Sequence, residues 1–146
     1  MTKTIKILSG FFIIICMFGC SNYEDKIIDD MNSNIENYDS IINIINNNDF
    51  KRFKYGQYIS REYFPKSLIQ ALNKTALKGR VQYLILNKGF NCNSKAIEFI
   101  SSKFHIRYTP CPGPDFPKPG SYEEVGLIET WGIDENWMIW KDNDYI

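Results

Sequence analysis

The first twenty residues constrain this chain most, because they decide the compartment in which the rest has to fold. Two lysines precede an apolar run over residues 7–18, which is followed by the small residue Gly19. A basic start, a short apolar core and a small residue at the cut are typical of a secretory signal peptide. The run is too short for a spanning helix, which needs about 20 apolar residues. We therefore expect residues 1–19 to be removed and residues 23–146 to fold as one exported domain.

The end of this run, Met17-Phe18-Gly19-Cys20, resembles the lipobox of bacterial lipoproteins, although a small residue is more usual at the position of Phe18. The resemblance implies a diacylglycerol on Cys20 and a short tether over residues 20–22. Ser21 stands where an aspartate favours retention in the inner membrane, so the resemblance implies the outer membrane if the cell has one. The domain would then face the periplasm or the cell exterior. The alternatives are a signal peptide cut elsewhere and an uncleaved N-terminal anchor.

The four cysteines have different expected fates. Cys16 would leave with the leader and Cys20 would carry the lipid, so Cys92 and Cys111 remain as an even pair. An oxidising compartment favours a disulfide between these two residues. The alternative is two free thiols or metal ligands, but the chain has no CxxC motif and only one histidine, His105. We therefore expect one disulfide, no metal and no cofactor.

Two segments have the residue spacing of amphipathic helices. Apolar residues recur every three or four positions over residues 23–47, which predicts a helix with its apolar stripe facing the core. The alternative is that this stripe binds a partner, because a helix beside a lipid tether can stand off the domain. Residues 65–78 predict a second helix, with Pro65 in its first turn and Gly79 just beyond its end.

A strand, a helix and a second strand are predicted over residues 81–86, 94–103 and 104–109. The short links between them favour a right-handed crossover that leaves the two strands parallel. Cys92 lies just before this helix and Cys111 just after the second strand. In such a unit both positions are at the same end of the sheet, so the two cysteines should be within reach of a disulfide.

A proline-rich segment follows the second strand. Residues 110–119 hold five of the six prolines, which predicts a stiff, extended loop with Phe116 at its centre. Such a loop loses little entropy when it binds a partner. The alternative is that the loop only connects its neighbours, as many loops do.

The C-terminal region predicts a β-hairpin over residues 126–141, and this hairpin contains all three tryptophans, Trp131, Trp137 and Trp140. Alternation along a strand puts Trp137 and Trp140 on opposite faces, so at least one tryptophan should be partly exposed. Tryptophan is over-represented at binding hot spots. The three tryptophans and Phe116 are therefore our candidate partner-binding residues.

Residues 50–64 interleave six aromatic residues with four basic ones. Such a pattern suits the stacking of nucleic-acid bases, but export argues against a nucleic-acid partner. The remaining interpretations are a sugar-binding surface and, preferred, a strand or short helix with its aromatic residues in the core. Residues 51–109 carry twelve basic and two acidic residues, or +10, whereas the segments on either side are acidic. Either the acidic ends neutralise this middle internally, or it forms a basic face for an anionic protein, lipid head groups or wall polymer.

The sequence contains no recognisable catalytic set. His105 alternates with the apolar residues of its strand, so we expect it to face solvent. Its nucleophile would have to be Ser101, Ser102 or a cysteine, and both cysteines of the domain are expected to pair with each other. A glycosidase built from distant carboxylates is the remaining alternative for catalysis.

The elements predict an α+β fold in which helices pack on one small mixed β-sheet with one disulfide. We expect no enzyme activity. The function indicated is a membrane-anchored lipoprotein that binds an envelope or exported protein, either as an immunity or inhibitor protein or as an accessory factor. The alternatives are a lipoprotein that binds glycan or cell-wall polymer and, more weakly, a small envelope hydrolase.

Overall fold

A single antiparallel sheet of seven strands organises the part of the chain that the computed structural model describes, residues 23–48, 50, 53–90 and 92–144. The predicted signal peptide, Cys20 and the tether lie outside the described residues. The elements in chain order are α1 (Tyr23–Asn47), β1 (Tyr58–Ser60), a 3₁₀ turn (Arg61–Tyr63), α2 (Lys66–Leu72), β2 (Tyr83–Lys88), β3 (Lys95–Ser101), β4 (Phe104–Tyr108), β5 (Tyr122–Val125), β6 (Ile128–Gly132) and β7 (Trp137–Asp142). Across the sheet the strand order is β1-β2-β3-β4-β7-β6-β5.

Helix α1 packs on one face of this sheet, termed the helix face. Tyr38 of α1 meets Trp137 of β7 edge-on, with ring centroids 5.8 Å apart. The prediction of a helix over residues 23–47 with a core-facing stripe is confirmed, but the helix is kinked at Asn34, whose backbone (φ −137°, ψ 34°) is not helical. The buried residues of the helix are Ile27, Met31, Tyr38, Ile41, Ile42 and Ile45.

Helix α2 is shorter than predicted, because it ends at Leu72 rather than at residue 78. The carboxylate of Asp30 on α1 accepts hydrogen bonds from the Tyr38 hydroxyl at 2.6 Å and from the Ala76 amide at 2.7 Å. The Ala76 amide therefore has an acceptor outside its own segment, and residues 73–80 follow turns instead of continuing the helix.

The predicted helix over residues 94–103 is wrong, because this segment forms strand β3. The sheet is consequently antiparallel throughout and not mixed. Strand β3 lies between β2 and β4, and six of its seven residues are buried, so the alternation that marks a half-buried strand is absent. Because this alternation is missing, a helical spacing also fits Ala96, Ile97 and Ile100.

The predicted bond between Cys92 and Cys111 is present, with their Cα atoms 6.1 Å apart. The crossover that was expected to bring the two cysteines together is not present. Strand β3 is antiparallel to both β2 and β4, so the turn before β3 and the chain after β4 meet at one end of the sheet. This end is termed the disulfide end, and the opposite end, where α1 begins, is termed the Tyr23 end.

Three charged side chains fix the start of α1 to the sheet. Lys141 of β7 lies 2.5 Å from Glu24 and 3.0 Å from Glu129 of β6, an arrangement termed the Lys141 cluster. The hydrogen bond to Glu24 is the largest cause of the raised pKa of Lys141. Burial acts to raise the pKa of Glu24, but Lys141, a backbone hydrogen bond and the charge of Lys103 together outweigh burial, so the pKa is lowered. Hydrogen bonds from Asn143 and Lys141 lower the pKa of Glu129.

The other face of the sheet, termed the outward face, carries the alternate residues of each strand. Strand β5 forms one edge of the sheet, and all four of its residues are exposed. The central residues of the outward face are Ile85, Ala96, Glu98, Ile100, His105, Arg107, Met138 and Trp140.

Candidate functional site

The proline-rich segment, residues 110–119, lies over the outward face and is fastened at its start and just beyond its end. The disulfide holds Cys111 at the start. At the far end the Gly120 amide donates to the Gly132 carbonyl at 2.8 Å, and the Gly132 amide donates to the Ser121 carbonyl at 3.0 Å. A Cβ atom on Gly132 would collide with the Lys118 carbonyl, so only glycine allows this approach. The predicted stiff loop, termed the proline loop, is thus also tied down.

Between the proline loop and the sheet is a cleft of about 410 Å³, near the disulfide end. Phe116 and Pro117 of the loop form one wall, and Met138 of β7 lies in the lining from the sheet. Phe90 completes the apolar part and is 71% exposed. A Cβ atom on Gly113 would come within 3.0 Å of the Phe90 ring, so this ring already packs against the loop backbone.

The cleft also contains charges of both signs. Lys88 and Arg107 line it from β2 and β4, whereas Asp115 and Glu123 line it from the loop and from β5. Within the described residues the Arg107 side chain makes no hydrogen bond and no ion pair. A guanidinium with unused donors in a partly apolar cleft can accept a carboxylate in a two-point contact.

A packed cluster of Glu98, His105 and Trp140 lies beside the cleft on the outward face. Nδ1 of His105 is 2.6 Å from Oε1 of Glu98, and the His105 ring stacks on the Trp140 ring with centroids 3.6 Å apart. The sequence predicts that His105 faces solvent. His105 does lie on the face away from the helices, but these two neighbours leave only 12% of its side chain exposed. Glu98 also stands directly opposite Arg107, which lines the cleft. The cluster therefore adjoins the central strands that form the floor of the cleft.

The four candidate aromatic residues do not form one surface. Trp137 is 0% exposed, and its Nε1 donates to Asp39 of α1 at 3.1 Å, so the structure corrects its placement from the surface to the core. Trp131 is half-buried on the helix face, beside Tyr122 at 5.4 Å. Phe116 and Trp140 are on the outward face. The sequence shows that two tryptophans of β7 point opposite ways, but not which of them points into the core.

Among the described residues, neither Ser101 nor a free cysteine lies beside His105, and Ser102 lies in the β3–β4 turn at the Tyr23 end. The Ser101 hydroxyl lies 3.2 Å from the Tyr23 hydroxyl on the helix face, across the sheet from His105. Cys92 and Cys111 are joined to each other. Within residues 23–144, the described positions hold no group of three His, Cys, Asp or Glu side chains arranged for a metal ion. No helix among them is long and apolar enough to cross a membrane.

No family model, curated protein or solved structure matches the chain. The cleft is therefore assigned from its own geometry. Of the residues that line it, only Phe116 was identified from the sequence, and the missed residues include Phe90, Arg107 and Met138. They come from three separate segments, and only the fold of the proline loop over the sheet brings them together.

Proposed function

We propose that the protein is a membrane-anchored envelope lipoprotein that binds another protein without catalysing a reaction. The contact is made by the proline loop and the cleft beneath it. The observation that carries the proposal is the double fastening of this loop, by the disulfide at Cys111 and by the glycine contact at Gly132. Because the walls are already in place, little conformational entropy is lost when a partner enters. An immunity or inhibitor protein, or an accessory factor of the envelope, would use such a surface.

The composition of the cleft supports a protein partner. Aromatic residues, methionine and arginine are enriched in protein interfaces, and Phe116, Met138 and Arg107 supply all three kinds. The volume of about 410 Å³ has room for an anchoring side chain and its neighbours. The free guanidinium of Arg107 favours a partner segment in which an apolar anchor is followed by a carboxylate.

Crosslinking in intact cells tests this proposal. The full chain, the variants Phe116→Ala and Arg107→Gln, and the control Lys118→Ala would each be crosslinked, purified and analysed by mass spectrometry. The control changes an exposed side chain of the same loop that does not line the cleft. We expect both cleft variants to reduce capture of the main protein partner about 10-fold, as loss of about 1.4 kcal/mol would.

The result that rejects this placement is equal capture by the parent and both cleft variants. A urea titration of each variant shows whether any loss reflects unfolding instead. Loss of capture in the Lys118→Ala control as well would mean that the loop surface in general, and not the cleft, makes the contact.

A second candidate, binding of glycan or cell-wall polymer, is favoured by one observation. Tyr58 of β1 is 61% exposed and Tyr83 of β2 is 40% exposed, and the two rings meet edge-on at 5.8 Å on the outward face. Exposed aromatic rings suit sugar surfaces, and Tyr58 belongs to residues 50–64, where aromatic and basic residues interleave in the sequence. Sedimentation with purified peptidoglycan tests this alternative. Co-sedimentation that disappears in Tyr58→Ala and in high salt would favour it over a protein partner.

A further inference from the structure

The turn between β5 and β6 carries two exposed apolar side chains. Val125 is 73% exposed and Leu127 is 54% exposed, and they flank Gly126, whose φ of 64° forms the tight turn. Single exposed apolar residues are ordinary on protein surfaces. Two of them at the tip of a hairpin, termed the hairpin tip, form a small apolar projection.

The hairpin tip is at the Tyr23 end of the sheet. The Leu127 carbonyl accepts a hydrogen bond from the Asn143 amide at 2.9 Å. The Asp142 amide, one residue earlier, donates to the Lys103 carbonyl in the β3–β4 turn at 3.1 Å. The Lys141 cluster then joins this same end of β7 to the first turn of α1. Neighbouring strands are about 4.8 Å apart, so the tip is only a few strand widths from the start of α1.

The start of α1 limits the distance to the proposed lipid. Residues 20–22 separate the acylated Cys20 from Tyr23, and three residues reach at most about 10 Å. A diacylglycerol on Cys20 would therefore hold the Tyr23 end close to the bilayer. The cleft is near the opposite end, about 20 Å away along the seven residues of β3.

The charges around the tip decide which part of the bilayer it suits. Arg80, over the Tyr23 ring at 4.1 Å, and Lys103 are cations at this end, and the first turn of α1 adds Lys26 beside Asp25. Asp142 and Asp144 lie beside the tip, and the Lys141 cluster has two acids for one base. This mixture gives no net attraction to anionic head groups. The apolar side chains instead match the boundary between head groups and acyl chains of an uncharged lipid surface.

We propose that the hairpin tip, Val125 to Leu127, contacts the bilayer beside the lipid anchor and orients the domain with its cleft away from the membrane. This inference rests on the proposed acylation of Cys20. The anchor alone would let the domain tumble on its tether, whereas a second contact fixes one end of the sheet against the lipid. A partner arriving from the periplasm or the cell exterior then meets an accessible cleft.

Quenching of tryptophan fluorescence by brominated lipid tests the orientation. The acylated full chain would be reconstituted in phosphatidylcholine vesicles as the parent, Leu127→Trp and Phe90→Trp. Both substitutions are at exposed sites, one at each end of the sheet. Relative to the parent, the emission added by Leu127→Trp should be blue-shifted and lost on bromination, and that added by Phe90→Trp should be unaffected. Equal behaviour of the two variants, quenched or unquenched, would overturn the inference.

Separate measurements distinguish the possible failures. The mass of the purified chain reports whether Cys20 carries the lipid, and a chain without it would remove the anchor and the orientation together. An acylated chain without quenching at position 127 would remove only the orientation. Partner capture in detergent is independent of both, and it should be reduced about 10-fold in Phe116→Ala but retained in Leu127→Asp.

Discussion

Replacing both Cys92 and Cys111 with serine should lower the free energy of unfolding by about 3 kcal/mol. The two residues are 19 positions apart in the chain. A cross-link over that distance removes roughly 11 cal/mol/K of loop-closure entropy from the unfolded chain, which is about 3 kcal/mol at room temperature. The closed segment contains β3 and β4, which are central strands, so unfolding has to release it.

A urea titration of the full chain in mild detergent measures this loss. Trp137 provides the signal, because its ring is fully buried and enters water on unfolding. The parent treated with a reductant should match the double-serine variant, and the variant itself should not respond to the reductant. A loss below about 1 kcal/mol would refute the entropy argument, because the unfolded chain would then be nearly as restricted without the bond.

Three other changes have expected results. Trp137→Ala should cost about 3–5 kcal/mol in urea because it empties a fully buried site. Trp140→Ala, at a half-buried site, should cost less, and equal costs would contradict the core placement. The glutamates of the Lys141 cluster have lowered pKa values, so their contribution is present above the ordinary value of 4.5 and is lost as the pH falls through the folded values. The loss of stability from about pH 7 to about pH 3 should therefore be smaller in Lys141→Met than in the parent, and an equal loss would mean that the cluster is not responsible. Gly132→Ala should cost about 1–3 kcal/mol and reduce partner capture, because its Cβ strikes the proline loop; a variant with parental stability and capture would show that the loop yields freely.

Helix α1 and the C-terminal hairpin could be predicted from local patterns. The apolar spacing over residues 23–47 gives the helix with its observed ends. The hairpin predicted over residues 126–141 corresponds to β6 and β7, which are joined by a turn over residues 133–136. Both elements have one buried and one more exposed side. Apolar residues therefore recur in the sequence with the period of the helix or strand.

Strand β3 could not be recognised because both of its sides are covered. Its residues from Ala96 to Ser101 are all buried, although only one face of the sheet packs against helices. On the outward face Ile100 stands between Tyr83 and His105 of the neighbouring strands. Ala96 lines the cleft beneath the proline loop. A strand without alternation has no period of two, so this segment was predicted as a helix. The antiparallel topology could not be predicted once β3 was taken for a helix.

The site was predictable only in its parts. The proline loop and Phe116 stand out in the sequence, and so does the cysteine that fastens the loop. Its contact with Gly132 does not, because this glycine matters only once the loop returns across the sheet. The partner-facing role expected of Trp137 failed for a related reason, since alternation assigns two faces without saying which one the helices cover.

The exposed edge of the sheet has a consequence for crowding. Lipid anchors would concentrate these chains in two dimensions, where an open strand such as β5 invites pairing with the same strand of another copy. Glu123 and Glu124 occupy the middle of that strand. Two copies meeting edge to edge would bring acid against acid, and the repulsion would keep neighbouring molecules separate on a dense membrane.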